Sequence, residues 1–224
     1  MDILLQHYTG DLGELEILSS ENISAYANKI GAEYELVLGN KFRPNLAPQI
    51  QKLVMLDEKY DEYDYVVMVD IDMFVRKGMN ENVITDISGV GMYCDIQQNL
   101  HAGLHRKYPM MTSMSSPYWG GAIYRLNRDQ RIALRKQIPQ IENKMQEFNN
   151  YLVDEGIMSV LAFYAGMKIN EETVLPGNYK WCHCSYRPGI ENAAMIHIRT
   201  KTTMTGNKRP KIENYRSLVE RNLI

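Results

Sequence analysis

The stretch that decides the fold is YDYVVMVDIDMFV, residues Tyr63–Val75. Within it, Tyr65–Val69 is an unbroken run of apolar residues, most of them β-branched or aromatic. Such a run is typical of a strand covered on both faces in a parallel sheet. Asp70 and Asp72 follow this strand directly. Because ligands of open α/β sheets bind beyond the carboxyl ends of the strands, the pattern predicts that both carboxylates lie at a ligand site.

The two carboxylates are one residue apart and lie on the same side of the chain if it stays extended. Two negative charges so close repel each other unless a cation compensates them. Mn²⁺ or Mg²⁺, bound by one or two carboxylates and completed by phosphate oxygens, suits this spacing. The alternative is a strand that ends in a polar loop, where Asp commonly caps and turns. The second apolar stretch, Met73–Val75, favours the metal site.

The composition restricts the class of protein. The chain has 224 residues, of which 45% are hydrophobic and 23% charged, which fits one globular domain. Its 25 basic and 27 acidic residues form no basic stripe with interleaved aromatic residues, which argues against a nucleic acid partner. The 3 cysteines cannot all pair within one chain, so we expect reduced thiols and a cytoplasmic location. No basic segment precedes a long apolar run, so we expect no membrane segment.

The residues before the motif predict a strand, a helix and a second strand. Asp2–Tyr8 is the first strand. Asp11–Glu14 has the spacing of a capping box and predicts a helix that runs to Ile30, with Gly31 as its C-cap. Glu33–Leu38 is the second strand. This order predicts a right-handed βαβ unit and a parallel sheet.

The segment Pro48–Tyr60 is predicted to be helical, with an apolar face that excludes Lys52. One interpretation makes Lys52 a solvated helix residue, which is the common fate of a lysine off the apolar face. The other is that it reaches the carboxylates, because this helix leads directly into the strand that ends at Asp70.

Beyond the motif, Gly89–Asp95 is predicted to be a strand, whereas Gln97–Ser116 is poorly patterned. Such a long connection without structure is usually a lid, a binding loop or disordered. His101 and His105 have the i, i+4 spacing of helical metal ligands. Gly103 weakens that helix and no third ligand is near, so we do not expect a metal site there.

Two pairs of adjacent residues stand out in the second half. Gly120 and Gly121 lead into an apolar strand, where they either let a ligand approach the backbone or form a tight bend. Asp154 and Glu155 lie between two helical parts of Gln140–Asn170. Asp154 is either the cap of the second helix or a chemical group, and both alternatives remain open at this point.

The last informative segment is Asn192–Lys201. If it is extended, His197, Arg199 and Lys201 share one face. An imidazole and two cations on one face suit a metal and a diphosphate better than a core. The preceding Cys182–Cys184 lacks further cysteines at metal-binding spacing and is predicted to be a strand.

Together these segments resemble the GT-A superfamily of metal-dependent, nucleotide-sugar glycosyltransferases. The order is similar to that of the glycogenin-like and galactosyltransferase-like branches, and the compact chain is similar to viral or microbial members. The matching residues are Lys52, Val66–Asp72, Trp119–Ile123, Asp154–Glu155 and Ile196–His197. The chain departs from the glycogenin-like branch at Glu155, where Gln is common, and after His197, where that branch often has Gly and then Lys-Pro-Trp.

The resemblance implies an α/β fold with a Rossmann-type, mixed, mainly parallel sheet flanked by helices. It implies a single catalytic domain over residues 1–224, with a nucleotide-binding half at about 1–95 and an acceptor-binding half at about 96–224. A sugar would be transferred from a nucleoside diphosphate sugar, with UDP as the expected nucleotide, to a hydroxyl of a glycan or glycoprotein. For a viral member, the expected location is the host cytoplasm.

The resemblance also implies a role for each site residue. Mn²⁺ or Mg²⁺ would be held by Asp70, Asp72 and His197. Asp154 would face the cleft at the reacting centre, with Glu155 as an accessory contact. The nucleotide sugar would be bound by Tyr8, Thr9, Lys52, Asp70, Ile71, Asp72, Gly120, Gly121, Arg199 and Lys201.

Two other functions place similar residues at a strand end. A phosphatase of the haloacid-dehalogenase type also has Asp-x-Asp after an apolar strand, with the first Asp as nucleophile. Its motif normally continues with Thr or Val at the position that Phe74 occupies here. A non-catalytic sugar-binding module with the transferase fold would not need the carboxylates and His197.

Overall fold

The computed structural model describes residues 1–87, 90–94, 98–113, 119–150, 152–167, 181–200 and 210–224. The strands are β1 (Asp2–Tyr8), β2 (Glu33–Leu38), β3 (Tyr65–Val69), β4 (Met73–Val75), β5 (Gly91–Cys94), β6 (Trp119–Asn127), β7 (Cys182–Cys184) and β8 (Met195–His197). The α-helices are α1 (Glu14–Lys29), α2 (Gln98–Lys107), α3 (Arg128–Arg135), α4 (Ile138–Ile141), α5 (Val153–Tyr164) and α6 (Lys211–Glu220). Short 3₁₀ helices span Pro48–Leu56, Glu58–Tyr60, Pro109–Ser113, Glu142–Phe148 and Ile190–Asn192.

The main sheet has five strands in the order β2-β1-β3-β6-β5. β1 is parallel to β2 and to β3, whereas β6 is antiparallel to both β3 and β5. β5 therefore has the same direction as β1, β2 and β3, and the predicted mixed, mainly parallel sheet is confirmed. In the described part of the chain, no helix is both long and apolar enough to cross a membrane.

The apolar run of β3 is explained by its central position. Residues 66–69 are all 0% exposed. Val67 and Val69 pack in the cluster that contains Ile23 of α1. Val66 and Met68 pack in the cluster on the other face, with the 3₁₀ helix Pro48–Leu56 and α5. A strand covered on both faces needs no polar alternation, as its sequence predicts.

A second, three-stranded sheet has the order β4-β8-β7. β4 begins directly after the two carboxylates and is antiparallel to β8, with Met73 opposite His197. β7 is parallel to β8, and its Cys182 and Cys184 are buried. This register brings His197 next to Asp72, the residue that precedes β4.

Three segments differ from the prediction. The predicted helix Pro48–Tyr60 is formed as two 3₁₀ helices. The first helix, predicted from the capping-box spacing of Asp11–Glu14, begins at Glu14 with Gly13 as its N-cap. The prediction of an unstructured connection at Gln97–Ser116 is wrong, since α2 and the 3₁₀ helix Pro109–Ser113 lie there. Leu104, Tyr108 and Met111 are buried in the core, and their i, i+4, i+7 spacing is the helical signal for this segment.

Arg131 of α3 joins this helix to the end of β6 and to the segment before β3. Its side chain is 0% exposed and donates to the carbonyl oxygens of Leu126 at 3.1 Å, Tyr60 at 2.8 Å and Tyr63 at 2.7 Å. Burial lowers its pKa to about 10, so the guanidinium remains charged at neutral pH.

Replacing Arg131 by Met is expected to lower the free energy of unfolding by about 2 kcal/mol, because buried carbonyl groups lose their donors. Urea denaturation measures the change. The matched control is Arg128→Met on the same helix. Because the side chain of Arg128 is 45% exposed, this substitution is expected to change stability by less than about 0.5 kcal/mol. Equal effects of the two substitutions would contradict the structural role of Arg131.

Candidate active site

Asp70, Asp72 and His197 form one cluster between the two sheets. His197 Nε2 lies 3.1 Å from Asp72 Oδ1 and 3.9 Å from Asp70 Oδ2. One ligand atom from each residue lies within 4.8 Å of the others. Two carboxylates and an imidazole are a donor set that fits a divalent cation. The three residues that the sequence predicts as metal ligands are thus brought together.

The turn that carries the carboxylates is fixed by backbone and side-chain hydrogen bonds. Met73 N donates to Asp70 O at 3.1 Å, and Ile198 N donates to Asp72 O at 2.9 Å. Gln6 of β1, which is fully buried, donates its amide to Asp70 O at 3.0 Å. Gln6 belongs to no sequence motif. It lies next to this turn because β1 pairs with β3.

Asp72 has a second cationic neighbour, Lys211, the first residue of α6. Lys211 Nζ forms an ion pair with Asp72 Oδ2. Burial acts to raise the pKa of Asp72, but His197 and Lys211 outweigh it and hold the pKa well below the usual range. No sequence pattern marks Lys211, because the tail that carries it is polar and has no motif.

Lys52 is buried at the centre of the site, and its interpretation as a solvated helix residue is wrong. Its Nζ donates to Asp70 Oδ1 at 2.6 Å and to Gly121 O at 2.8 Å, and lies 2.8 Å from Asp154 Oδ2. Burial acts to lower its pKa, but Asp154 and Asp70 outweigh it and raise the pKa above its ordinary value. The 3₁₀ helix is buried on every side from Ile50 to Leu56, so it has no solvated face there.

Asp154 does not cap α5. The N-cap residue is Leu152, in the left-handed conformation with φ 68°, and Asp154 lies in the first turn of the helix. The whole residue Asp154 is 1% exposed. Its carboxylate accepts a hydrogen bond from Tyr124 Oη at 2.6 Å and also pairs with Lys52. Burial raises its pKa, with Lys52 acting in the opposite direction. The capping alternative is therefore wrong, because tertiary contacts hold this carboxylate.

Glu155 and Gly121 connect α5 to β6 at the same place. Gly121 N donates to Glu155 Oε1 at 2.8 Å. A Cβ at Gly121 would overlap the carboxylate of Asp154 and the hydroxyl of Tyr124, so this position needs glycine. Both Gly120 and Gly121 lie inside β6, which contradicts the alternative of a tight bend between elements.

Two cavities flank the carboxylates and form one cleft. The first, of about 260 Å³, is lined by His7, Tyr8, Thr9, Pro48, Gln49, Lys52, Asp70, Ile71, Asp72 and Lys211. The second, of about 400 Å³, is lined by Gln49, Lys52, Asp70, Asp72, Gly120, Gly121, Ala122, Val153, Asp154, Glu155, His197, Arg199 and Lys211. Five residues line both cavities and so lie where the two meet: Gln49, Lys52, Asp70, Asp72 and Lys211.

The cleft contains every site residue expected from the sequence except Lys201, which lies outside the described residues. β8 ends at His197, so Arg199 reaches the second cavity from the segment after the strand. The side chain of His101 also lies outside the described residues.

No protein-family model matches the chain, and no curated protein is similar to it in sequence. Solved structures are similar to it over nearly its whole length. A glycosyltransferase involved in the glycosylation of the major capsid of PBCV-1 superposes with a TM-score of 0.59 at 10% identity, over 97% of this chain and 98% of that one. The galactosyltransferase LgtC, in complex with donor and acceptor sugar analogues, has a TM-score of 0.53 at 14% identity, over 98% and 96%.

The chain has the GT-A fold. The bifunctional glycosyltransferase WbbM shares it with a TM-score of 0.60 at 13% identity, over 95% of this chain and 51% of that one. The fold class predicted from the sequence is confirmed. In this GT-A fold, the cluster of Asp70, Asp72 and His197 and both cavities lie beyond the carboxyl ends of the parallel strands β1 and β3, where open α/β sheets bind their ligands.

Proposed function

We propose that the protein is a metal-dependent glycosyltransferase that moves a hexose or another sugar from a UDP-sugar to a hydroxyl group of a glycan or glycoprotein. The observation that carries this proposal is the cluster of Asp70, Asp72 and His197 at the junction of two cavities in a GT-A fold. One cavity suits a nucleoside and the other suits a sugar with its acceptor, and the reacting diphosphate then lies beside the metal ligands.

Asp70, Asp72 and His197 would hold Mn²⁺ or Mg²⁺, which neutralises the negative charge that develops on the departing diphosphate. Arg199 and Lys211 line the second cavity and can form charge-assisted hydrogen bonds to phosphate oxygens. Tyr8, Thr9 and Ile71 line the first cavity and would contact the nucleoside, while Gly120 and Gly121 would lie along the sugar and acceptor.

The two adjacent acids would have different roles. Asp154 is bound by Lys52 and Tyr124, so it would orient Lys52 beneath the metal ligands rather than contact the acceptor directly. Glu155 is less buried and lines the sugar cavity next to Gly121. Its carboxylate is the group that would contact the reacting sugar or the acceptor hydroxyl. From the sequence, Asp154 is expected at the reacting centre and Glu155 as an accessory contact, so this assignment exchanges the two roles.

The cavity linings also support the division of the single domain into two halves. The first cavity takes all of its lining from residues 7–72 except Lys211. The second adds residues 120–122, 153–155, 197 and 199. Residues 1–95 would thus bind mainly the nucleotide, and residues 96–224 mainly the sugar and acceptor.

The deciding experiment is to incubate the protein with Mn²⁺ and a panel of UDP-sugars and to measure the release of UDP. We expect slow hydrolysis of one donor even without an acceptor. Release of inorganic phosphate from simple phosphomonoesters would instead identify a phosphatase. Binding of sugars without either reaction would identify a non-catalytic module. A thermal-shift panel of the same donors selects the sugar, because the true donor raises the melting temperature by mass action.

The donor is expected to carry uridine rather than guanosine. The turn after β1 is short, and the cavity of about 260 Å³ that it lines leaves limited room for a purine. We expect calorimetry in the presence of Mn²⁺ to give an affinity for UDP at least about tenfold higher than for GDP. Tighter binding of GDP than of UDP would contradict this assignment.

A further inference from the structure

The carboxylate of Asp72 is shared by two cationic side chains. His197 approaches Oδ1, and Lys211 approaches Oδ2. The side chain of Asp72 is 11% exposed, whereas that of Lys211 is 42% exposed and lines both cavities. Lys211 therefore reaches a buried metal ligand from the solvent side of the cleft, where a nucleotide would enter.

The helix that carries Lys211 is docked by contacts of its own. Leu218 of α6 is 1% exposed, and the ring of Tyr215 packs on Phe74 with 4.8 Å between centroids. Asn214 donates to Arg199 O at 2.9 Å. These contacts hold α6 against β4 and the segment after β8, so the position of Lys211 does not depend on its ion pair with Asp72.

The ammonium group of Lys211 and a divalent cation at this site would carry charges of the same sign. An ammonium group and a divalent cation are both attracted to Asp72, and they repel each other at the short distance that one carboxylate imposes. A nucleoside diphosphate brings phosphate oxygens into the same cavity, which are alternative partners for a lysine. The ammonium group thus lowers the affinity for the metal when no nucleotide is bound. A diphosphate that pairs with Lys211 removes this repulsion.

We propose that Lys211 competes with the divalent cation for the carboxylate of Asp72, and that the nucleoside diphosphate relieves this competition by offering Lys211 a phosphate partner. The inference rests on the proposed function for the identity of the nucleotide. It makes Lys211 a residue that couples metal binding to nucleotide binding. The coupling is reciprocal, so the metal raises the affinity for UDP by the same factor as UDP raises the affinity for the metal.

The test is a titration of the protein with Mn²⁺, following free Mn²⁺ by electron paramagnetic resonance, with and without saturating UDP. We expect Lys211→Met to bind Mn²⁺ alone about tenfold more tightly than the unmodified protein. UDP should then increase the Mn²⁺ affinity of this variant by a smaller factor. Lys211→Arg keeps the positive charge and should therefore bind Mn²⁺ alone less tightly than Lys211→Met does.

The matched control is Arg216→Met, which removes one positive charge from the same helix. Arg216 pairs with Glu14 at the surface, where the two side chains are 58% and 59% exposed. Its Mn²⁺ affinity should not change. The proposal is overturned if Lys211→Met binds Mn²⁺ alone no more tightly than the unmodified protein, or if Arg216→Met gives the same gain. Failure of the proposed function has a different signature: UDP binds to none of the variants, while the Mn²⁺ titrations still decide the competition.

Discussion

Replacing Asp72 by Asn is expected to lower the metal-dependent turnover of the donor by about a thousandfold, while the protein remains folded. Asn has nearly the same shape as Asp but no charge, so the metal site loses one anionic ligand. The low pKa of Asp72 means that the unmodified side chain is ionised throughout the neutral range. The measurement is UDP release as a function of Mn²⁺ concentration, beside the melting temperature of each variant.

The matched control is Asp64→Asn, the same change eight residues earlier at the surface, where the side chain of Asp64 is 62% exposed. Its turnover should equal that of the unmodified protein. Full activity of Asp72→Asn, or of the unmodified protein in excess chelator, would show that transfer does not need the metal. Loss of folding in Asp72→Asn would show as loss of the cooperative thermal transition and is distinguished in that way from loss of chemistry.

The second large effect is expected from Lys52→Met, which should lower the free energy of unfolding by about 3–5 kcal/mol. Met has a similar length and is apolar, so the substitution removes the charge with little change in volume. Asp70 and Asp154 then face each other without their shared cation, and Gly121 O loses its donor. Denaturant unfolding measures the loss, and Lys59→Met is the control. Lys59 is 50% exposed and pairs with Glu35 at the surface, so its replacement should change stability by less than about 0.5 kcal/mol.

The loss in Lys52→Met should depend on pH. The folded-state pKa of Asp154 is raised by burial even beside Lys52, and it rises further when the cation is removed. A carboxyl whose folded pKa exceeds its unfolded value binds more protons when folded, so its contribution to stability falls as the pH rises between the two values. The destabilisation should therefore be larger at pH 7 than at pH 4. The double variant Lys52→Met with Asp154→Asn should be more stable than the sum of the single changes predicts. Additive effects would show that Lys52 and Asp154 do not interact.

The sequence by itself determined the first half of the main sheet and the position of the two carboxylates. Asp2–Tyr8, Glu33–Leu38 and Tyr65–Val69 are strands with the predicted bounds, because apolar runs and turn residues are local signals. The carboxylates follow the central strand in the chain, so their place at its end needs no tertiary information. The local pattern left two interpretations open for the glycine pair and for the acidic pair, and only the resemblance to a known family assigned both pairs to the site.

Tertiary structure alone decided which of these residues are joined and how. The register of β4 with β8 sets the contact between His197 and Asp72. The burial of Lys52 and the contact of Lys211 with Asp72 depend on which helices cover the cleft. Asp is a residue type that commonly caps helices, yet the carboxylate of Asp154 is bound by Lys52 and Tyr124. These interactions join residues far apart in the chain. Their free energy comes from burial, charge and register between packed elements, and no short stretch of sequence contains both partners.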